Sequence, residues 1–339
     1  MSKLLRPRRD DASMSRASAR ELAASVVVLI GSASFARCAA QPPPAAQPST
    51  EAQPSTEAAP AAPATAPPVS SAGPPGTPGA SEPPAPTRAD PCAPALFCDD
   101  FEDDAPGAAP APPWRDETGS SGARVRVDTE RAHSGKNAVH VSAPKGAAYR
   151  RGYFAVHQPP VFPDASDEMY GRAMVWLDAA PLTPRGREPV HWTLFQGEGR
   201  SADDRFNSIY RFGGQHQQGL GLMANFETTP PVRSDCRQLS QTSLPVAEWA
   251  CVEWHFSVAA NELEFWLNGA ELTDLHVRER ATAKGSSCLS TQDLGGKWLA
   301  PPKFQSLYFG WERYSDSDND QNVWFDDIVI SKSRVGCPE

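Results

Sequence analysis

The sequence predicts an all-β sandwich in the C-terminal two-thirds of the chain, behind an N-terminus built for export. Two observations carry this reading. From Phe97 onward, short runs of alternating apolar and polar residues recur between Gly, Pro, Asn and Asp, and no long amphipathic helical pattern interrupts them. Upstream, composition shifts abruptly: 15 of the 35 prolines fall within residues 41–90, where almost nothing can be buried to offset ordering entropy.

Residues 1–40 read as a signal segment. Arg6, Arg8, Arg9, Arg16 and Arg20 form a basic region ahead of the apolar stretch 22–36. That stretch is shorter than the roughly 20 apolar residues a membrane span requires. Met14 is an alternative start. Ser34-Phe35-Ala36 offers small residues to a signal peptidase and fits plain secretion. Cys38 fits lipidation instead, as in an outer-membrane lipoprotein, although Arg37 stands where that pattern wants a small residue. An uncleaved start is the third reading. The expected location is the cell surface or the extracellular space, with membrane contact only through a lipid on Cys38.

Residues 41–91 read as a disordered Pro/Ala-rich tether containing a tandem hexapeptide, 47–52 and 53–58. In a polyproline II conformation it would reach on the order of 100 Å. Residues 92–339 form the expected sandwich domain. The net charge of −9 argues against nucleic acid, whose affinity rests on Lys and Arg neutralising phosphates. A monomer is expected.

Within the domain, strands are predicted at 123–128, 138–141, 172–177, 251–258, 262–267, 305–311 and 323–330. The pair 251–258 and 262–267 reads as a hairpin through Ala259-Ala260-Asn261. Val252, Trp254, Phe256 and Val258 take one face, matched by Leu263, Phe265 and Leu267. Asn268-Gly269 ends the second strand with a turn.

Seven cysteines are present. With Cys38 in the signal region, six remain: Cys92, Cys98, Cys236, Cys251, Cys288 and Cys337. An even number in an exported domain predicts up to three disulfides. Cys236–Cys251, bracketing one loop, is the first expected pair, followed by Cys92–Cys98 and Cys288–Cys337; reduced thiols are the alternative.

Phe97-Cys-Asp-Asp-Phe-Glu102, Arg131-Ala-His-Ser-Gly-Lys136, Glu248-Trp-Ala-Cys-Val-Glu-Trp254, Glu264-Phe-Trp-Leu-Asn-Gly269, Phe325-Asp-Asp-Ile-Val-Ile330 and Gly336-Cys337 together resemble a known family. They are similar to concanavalin A-like jelly rolls, including laminin-G-like domains and carbohydrate-binding modules. More narrowly, they resemble a secreted fungal protein induced on cellulose and the glucuronan and alginate lyases of the same fold. The resemblance spans about residues 97–337. It implies a jelly-roll β-sandwich that meets polysaccharide.

It also implies a structural Ca²⁺, held by Glu102, the carbonyl of Lys136 and Asp327, with Asp100 a further candidate; hard oxygen donors suit that ion. The acidic run 316–320 lacks the later Gly and Glu of an EF-hand and reads as a solvated loop.

Alginate lyases of this fold carry a strand whose final Tyr acts as general acid and base, and the matching position here is Tyr314. Their Gln-Ile-His element has its counterpart in Gln196-Gly197-Glu198, without the His. Gln196, Tyr210, Arg211, His216 and Tyr314 are thus the candidate catalytic residues of a lyase. The nine tryptophans suggest sugar-stacking platforms, although a sandwich core also consumes Trp. Trp266 alternates off the apolar face of its strand. With Trp311 and Arg313 it completes the candidate ligand-binding set. Glu198, Glu227, Glu253 and Glu312 stand unpaired in sequence, which argues against a glycosidase. The expected function is polysaccharide binding, with uronate lyase chemistry and a purely structural surface domain as alternatives.

Overall fold

The computed structural model describes residues 92, 95–146, 149–201, 204–215, 221–229, 234–278, 287–290 and 302–338. The expected signal segment and tether, with Cys38, and His216 lie outside them. In chain order the strands are β1 (Phe97–Asp99), β2 (Arg115–Asp116), β3 (Arg124–Asp128), β4 (Ala138–Ala143), β5 (Arg150–Val156), β6 (Glu168–Leu177), β7 (His191–Ser201), β8 (Asn207–Gln215) and β9 (Gly221–Thr228). They continue as β10 (Ser234–Ser243), β11 (Trp249–Ser257), β12 (Glu262–Leu267), β13 (Ala270–Glu271), β14 (Val277–Arg278), β15 (Ser287–Ser290), β16 (Pro302–Arg313) and β17 (Gln321–Ser331).

Two antiparallel sheets face each other, giving the expected jelly-roll sandwich. Sheet A runs β13-β12-β11-β6-β17-β4-β3, with β1 added to β17 and β14 to β12. Sheet B runs β15-β10-β9-β8-β7-β16-β5-β2. Most neighbours are distant in sequence, so the order is set by long-range pairing.

The predicted hairpin forms in the expected register: Val252 faces Leu267, Trp254 faces Phe265 and Phe256 faces Leu263. Asn268 and Gly269 both take positive φ (50° and 80°), as a tight hairpin turn demands. Inward residues of both sheets build the core. Phe195 of β7 meets Trp254 of β11 at 4.6 Å between ring centroids, and Trp254 fills the space above Gly171, where a Cβ would stand 2.0 Å from its ring.

Two disulfides are Cys92–Cys98 and Cys251–Cys337. The first agrees with expectation. The second overturns both Cys236–Cys251 and Cys288–Cys337. Cys236 and Cys251 are near in sequence but lie on β10 and β11, which belong to different sheets. Cys251 instead meets the C-terminal tail, where Glu253 receives Arg334 (2.8 Å) and the backbone N–H of Gly336 (2.9 Å). Cys236 is disulfide-bonded, and the register of β10 and β15 sets it opposite Cys288.

Candidate active site on the outer face of sheet B

Alternation along sheet B sends one set of side chains to the core and the other to its outer face. Gln196, Glu198, Arg211, Asn225, Glu227, Glu312 and Tyr314 belong to the second set. Arg211 and Gln196 are cross-strand partners on β8 and β7. The Arg211 guanidinium donates to Gln196 Oε1 (3.0 Å), Asn225 Oδ1 (3.0 Å) and Glu227 Oε2 (2.5 Å). The Gln196 amide in turn donates to Glu198. Burial is the leading cause that raises the Glu198 carboxyl above its ordinary pKa, which suits it to hold a proton.

Glu312 is buried and collects three phenols. Tyr149 donates at 2.5 Å, Tyr153 at 3.2 Å, and Tyr314 completes the set. Burial holds the Tyr314 hydroxyl above the usual tyrosine range; Arg211 opposes this and Glu312 adds to it. Tyr314 remains 38% exposed as a residue, while its hydroxyl turns to the buried carboxylate. His191 lies against it at 4.8 Å. Burial, reinforced by Arg211, depresses His191 to about 4, leaving a neutral imidazole at ordinary pH. Arg151 covers the rings of Tyr153 and Tyr308 at 5.1 and 5.6 Å.

The backbone makes this arrangement possible at Gly310, between Tyr308 and Glu312. Its φ is +149°, and a Cβ there would lie 2.0 Å from the Gly152 carbonyl. An irregularity in the β16–β7 pairing between Phe309 and Glu312 re-aims the end of β16.

The structure thus brings together Gln196, Arg211 and Tyr314. Tyr210 is set apart: it is buried on the core side, donating to Asn261 Oδ1 at 3.1 Å, because it precedes Arg211 by one residue on the same strand. The expected ligand-binding residues are also placed elsewhere. Trp311 is fully buried and stacked on Trp192 at 5.1 Å, so it packs the core instead of offering a face to a sugar. Arg313 is fully buried, donating to the carbonyls of Pro144 (3.1 Å) and Gly146 (3.2 Å); it ties down a turn instead of meeting ligand. Trp266 does leave the apolar face of β12, as expected, but it lies on sheet A under Arg334, at 4.5 Å, and is only 7% exposed.

His191, Arg151, Tyr149 and Tyr153 join the site without having been singled out in sequence. The alternation of β5 carried a signal for Arg151 and Tyr153, opposite in phase to the core residue Phe154.

The candidate calcium residues gather around a single turn. Glu102 Oε1 accepts the backbone N–H groups of Lys136 and Asn137, both at 2.7 Å. Asp327 Oδ1 accepts the Ser134 hydroxyl at 2.7 Å, and Oδ2 faces His133 Nδ1 at 2.5 Å. Glu102 packs so closely on Gly135 that a Cβ there would stand 2.2 Å from its carboxyl carbon. Asp100 is exposed and accepts the Glu102 N–H at 3.3 Å. These donors are hard oxygens of the type calcium takes.

Comparison with known proteins places this geometry in context. The family model of the polysaccharide lyase-like group described as Cip1-like, core domain, matches residues 100–333. The solved structure of "Cellulose induced protein, Cip1" is 24% identical, with a TM-score of 0.51, over 71% of this chain and 100% of that one. An endo-β-1,4-glucuronan lyase from the fungus Trichoderma reesei is 12% identical (TM-score 0.44, 70% of this chain, 96% of that one). The marine PL-14 alginate lyase from Aplysia kurodai is 11% identical (TM-score 0.39, 71% of this chain, 100% of that one). No curated protein matches the sequence. With the family model covering most of the sandwich, the chain belongs to the polysaccharide lyase-like family with a Cip1-like core domain.

Proposed function

We propose that the outer face of sheet B binds a uronate-containing polysaccharide and cleaves it by β-elimination. The observation that carries this reading is the convergence of the Tyr314 phenol, the Arg211 guanidinium and the Gln196 amide beside the buried Glu312 carboxylate.

Elimination must remove the proton at C5, next to the uronate carboxylate, and expel the oxygen at C4. Arg211 and Gln196 stabilise the negative charge that builds on the carboxylate as the C5 proton leaves. Tyr314 moves the protons. Its O–H points at Glu312, a contact that favours the protonated phenol, while the Arg211 guanidinium favours the phenolate that acts as base. The phenolate oxygen removes hydrogen from C5, and the phenol so formed protonates the departing O4. The C5–H and C4–O bonds break, a C4=C5 double bond forms, and Tyr314 ends, as it began, as the phenolate.

Binding without cleavage is the second reading, favoured by one specific contact. Arg211 is held by Glu227 and Asn225, so a substrate carboxylate must share it with them. Export supports access to such a polymer. The basic and apolar N-terminus and the Pro/Ala tether would set the domain outside the cytoplasm, secreted or anchored through Cys38. A calcium ion at Glu102, the Lys136 carbonyl and Asp327 would pin the start and end of the domain together.

The test is incubation of the purified chain with a panel of neutral and uronate polysaccharides. Retention on polymer and ultraviolet absorbance of the unsaturated product are recorded together. Absorbance that rises with uronate polymers and vanishes in Tyr314→Phe is the expected result. Retention without absorbance supports the binding reading. Neither signal across the panel overturns both.

A further inference from the structure

The outer face of sheet A, on the far side of the sandwich from the candidate active site, carries a cluster of titratable groups that the proposed chemistry does not use. β12 alternates Leu263, Phe265 and Leu267 into the core with Glu262, Glu264 and Trp266 outward. Glu264 is the cross-strand partner of His255 on β11, and β12 also pairs with β14, just after His276. Carboxylate and imidazole atoms of Glu262, Glu264 and His276 consequently lie within 4.8 Å of one another. His276 Nε2 contacts Glu262 Oε1 and stands 3.5 Å from Glu264 Oε1.

The surroundings orient these groups. Glu264 turns its other oxygen to His255 Nδ1 at 2.5 Å. The opposite nitrogen of His255 meets Glu168 at 3.1 Å, and its ring stacks on Tyr170 at 4.0 Å with an interplanar angle of 5°. His276 Nδ1 lies 3.5 Å from Glu271. A carboxylate behind each imidazole nitrogen that does not face the ion is the support a metal-bound histidine receives. Side-chain exposure falls from 28% at His276 to 19% at Glu264 and 6% at Glu262, so the group is enclosed on the sheet side and open on the other.

We infer that Glu262, Glu264 and His276 form a binding site for a borderline divalent cation such as Zn²⁺, with the fourth position open to water. One imidazole nitrogen and two carboxylate oxygens are a donor set zinc accepts. At metal–ligand distances near 2.1 Å, tetrahedral ligands stand about 3.4 Å apart; His276 and Glu264 already stand at 3.5 Å, whereas the closer His276–Glu262 contact must open to admit the ion. The imidazole disfavours calcium and magnesium, which prefer an all-oxygen shell. Arg278 reaches Glu262 Oε1 from solvent, its side chain 64% exposed, and so competes with the cation for that oxygen.

This competitor supplies a test that does not depend on disrupting the site. The purified full chain, stripped with EDTA, is titrated with zinc chloride against a chromophoric chelator. Wild type should take one tight equivalent that His276→Ala and Glu264→Gln lack. His255→Gln, which releases Glu264, should bind about 10–100-fold more weakly. Arg278→Ala should bind more tightly than wild type. Cys38 is present in every variant, so any zinc it captures cancels in the comparison. Equal zinc uptake by wild type and Glu264→Gln overturns the assignment, as does weaker binding by Arg278→Ala; either result leaves an ion-pair network without a metal.

Discussion

Of the two disulfides traced between described residues, Cys251–Cys337 closes the longer loop, and its contribution follows from the pairing. The bond joins residues 86 apart, whereas Cys92–Cys98 spans only 6. In the loop-entropy treatment, closing the longer loop in the unfolded chain is worth about 4.5 kcal/mol and the shorter about 2 kcal/mol. The pairing that loop proximity suggested, Cys236–Cys251, would span about fifteen residues and be worth about 3 kcal/mol.

Native-state contacts add to the longer crosslink, because the tail it anchors also carries Arg334 and Gly336 onto the buried carboxylate of Glu253. The perturbation is Cys251→Ser with Cys337→Ser, compared with Cys92→Ser with Cys98→Ser. Guanidinium unfolding, monitored by tryptophan fluorescence, should show the first double variant losing about 2 kcal/mol more than the second. It should also show a steeper denaturant dependence, since an unfolded chain freed of a long crosslink exposes more surface. Equal losses, or a larger loss for Cys92 and Cys98, would refute the argument that loop length governs these bonds.

Two further outcomes follow from the site and the turn. His191 is depressed to about 4, below its unfolded value of about 6.5, so its neutral form stabilises the fold above about pH 6.5 and that stability is lost as pH falls toward 4. The loss is on the order of 3 kcal/mol; urea melts across that range should therefore fall more steeply for wild type than for His191→Asn, and parallel curves would count against the assignment. Calcium at the 133–137 turn should raise the melting temperature of EDTA-treated protein, by on the order of 3 kcal/mol of stability at a 100-fold excess over Kd. The gain should disappear in Glu102→Gln, and a midpoint indifferent to both EDTA and calcium would remove the proposed ion.

Local sequence was enough for much of the fold. Period-two alternation identified β11 and β12, their register, the Asn268-Gly269 turn, and the opposite fates of Trp254 and Trp266. The reason is geometric: successive side chains of a strand point to opposite faces, so the pattern alone separates inside from outside. Arg211 and Tyr314 became candidates through the resemblance to alginate lyases. Alternation held the further information that Tyr210, one residue from Arg211, must face the core.

Alternation does not say which strands are neighbours, and there the tertiary structure decided. Placing β10 and β11 in different sheets sent Cys251 to the C-terminal tail. Pairing β5 with β16 joined Glu312, dismissed in sequence as an unpaired acid, to Tyr149 and Tyr153, and pairing β7 with β8 joined Gln196 to Arg211. Arg313 follows Phe309 and Trp311 inward by the same alternation that leaves Tyr314 at the surface, but only the fold shows that its partners are the carbonyls of Pro144 and Gly146. Local pattern chooses the face of each strand; the contacts that make a site come from chain closures spanning tens to hundreds of residues, and no short window of sequence records them.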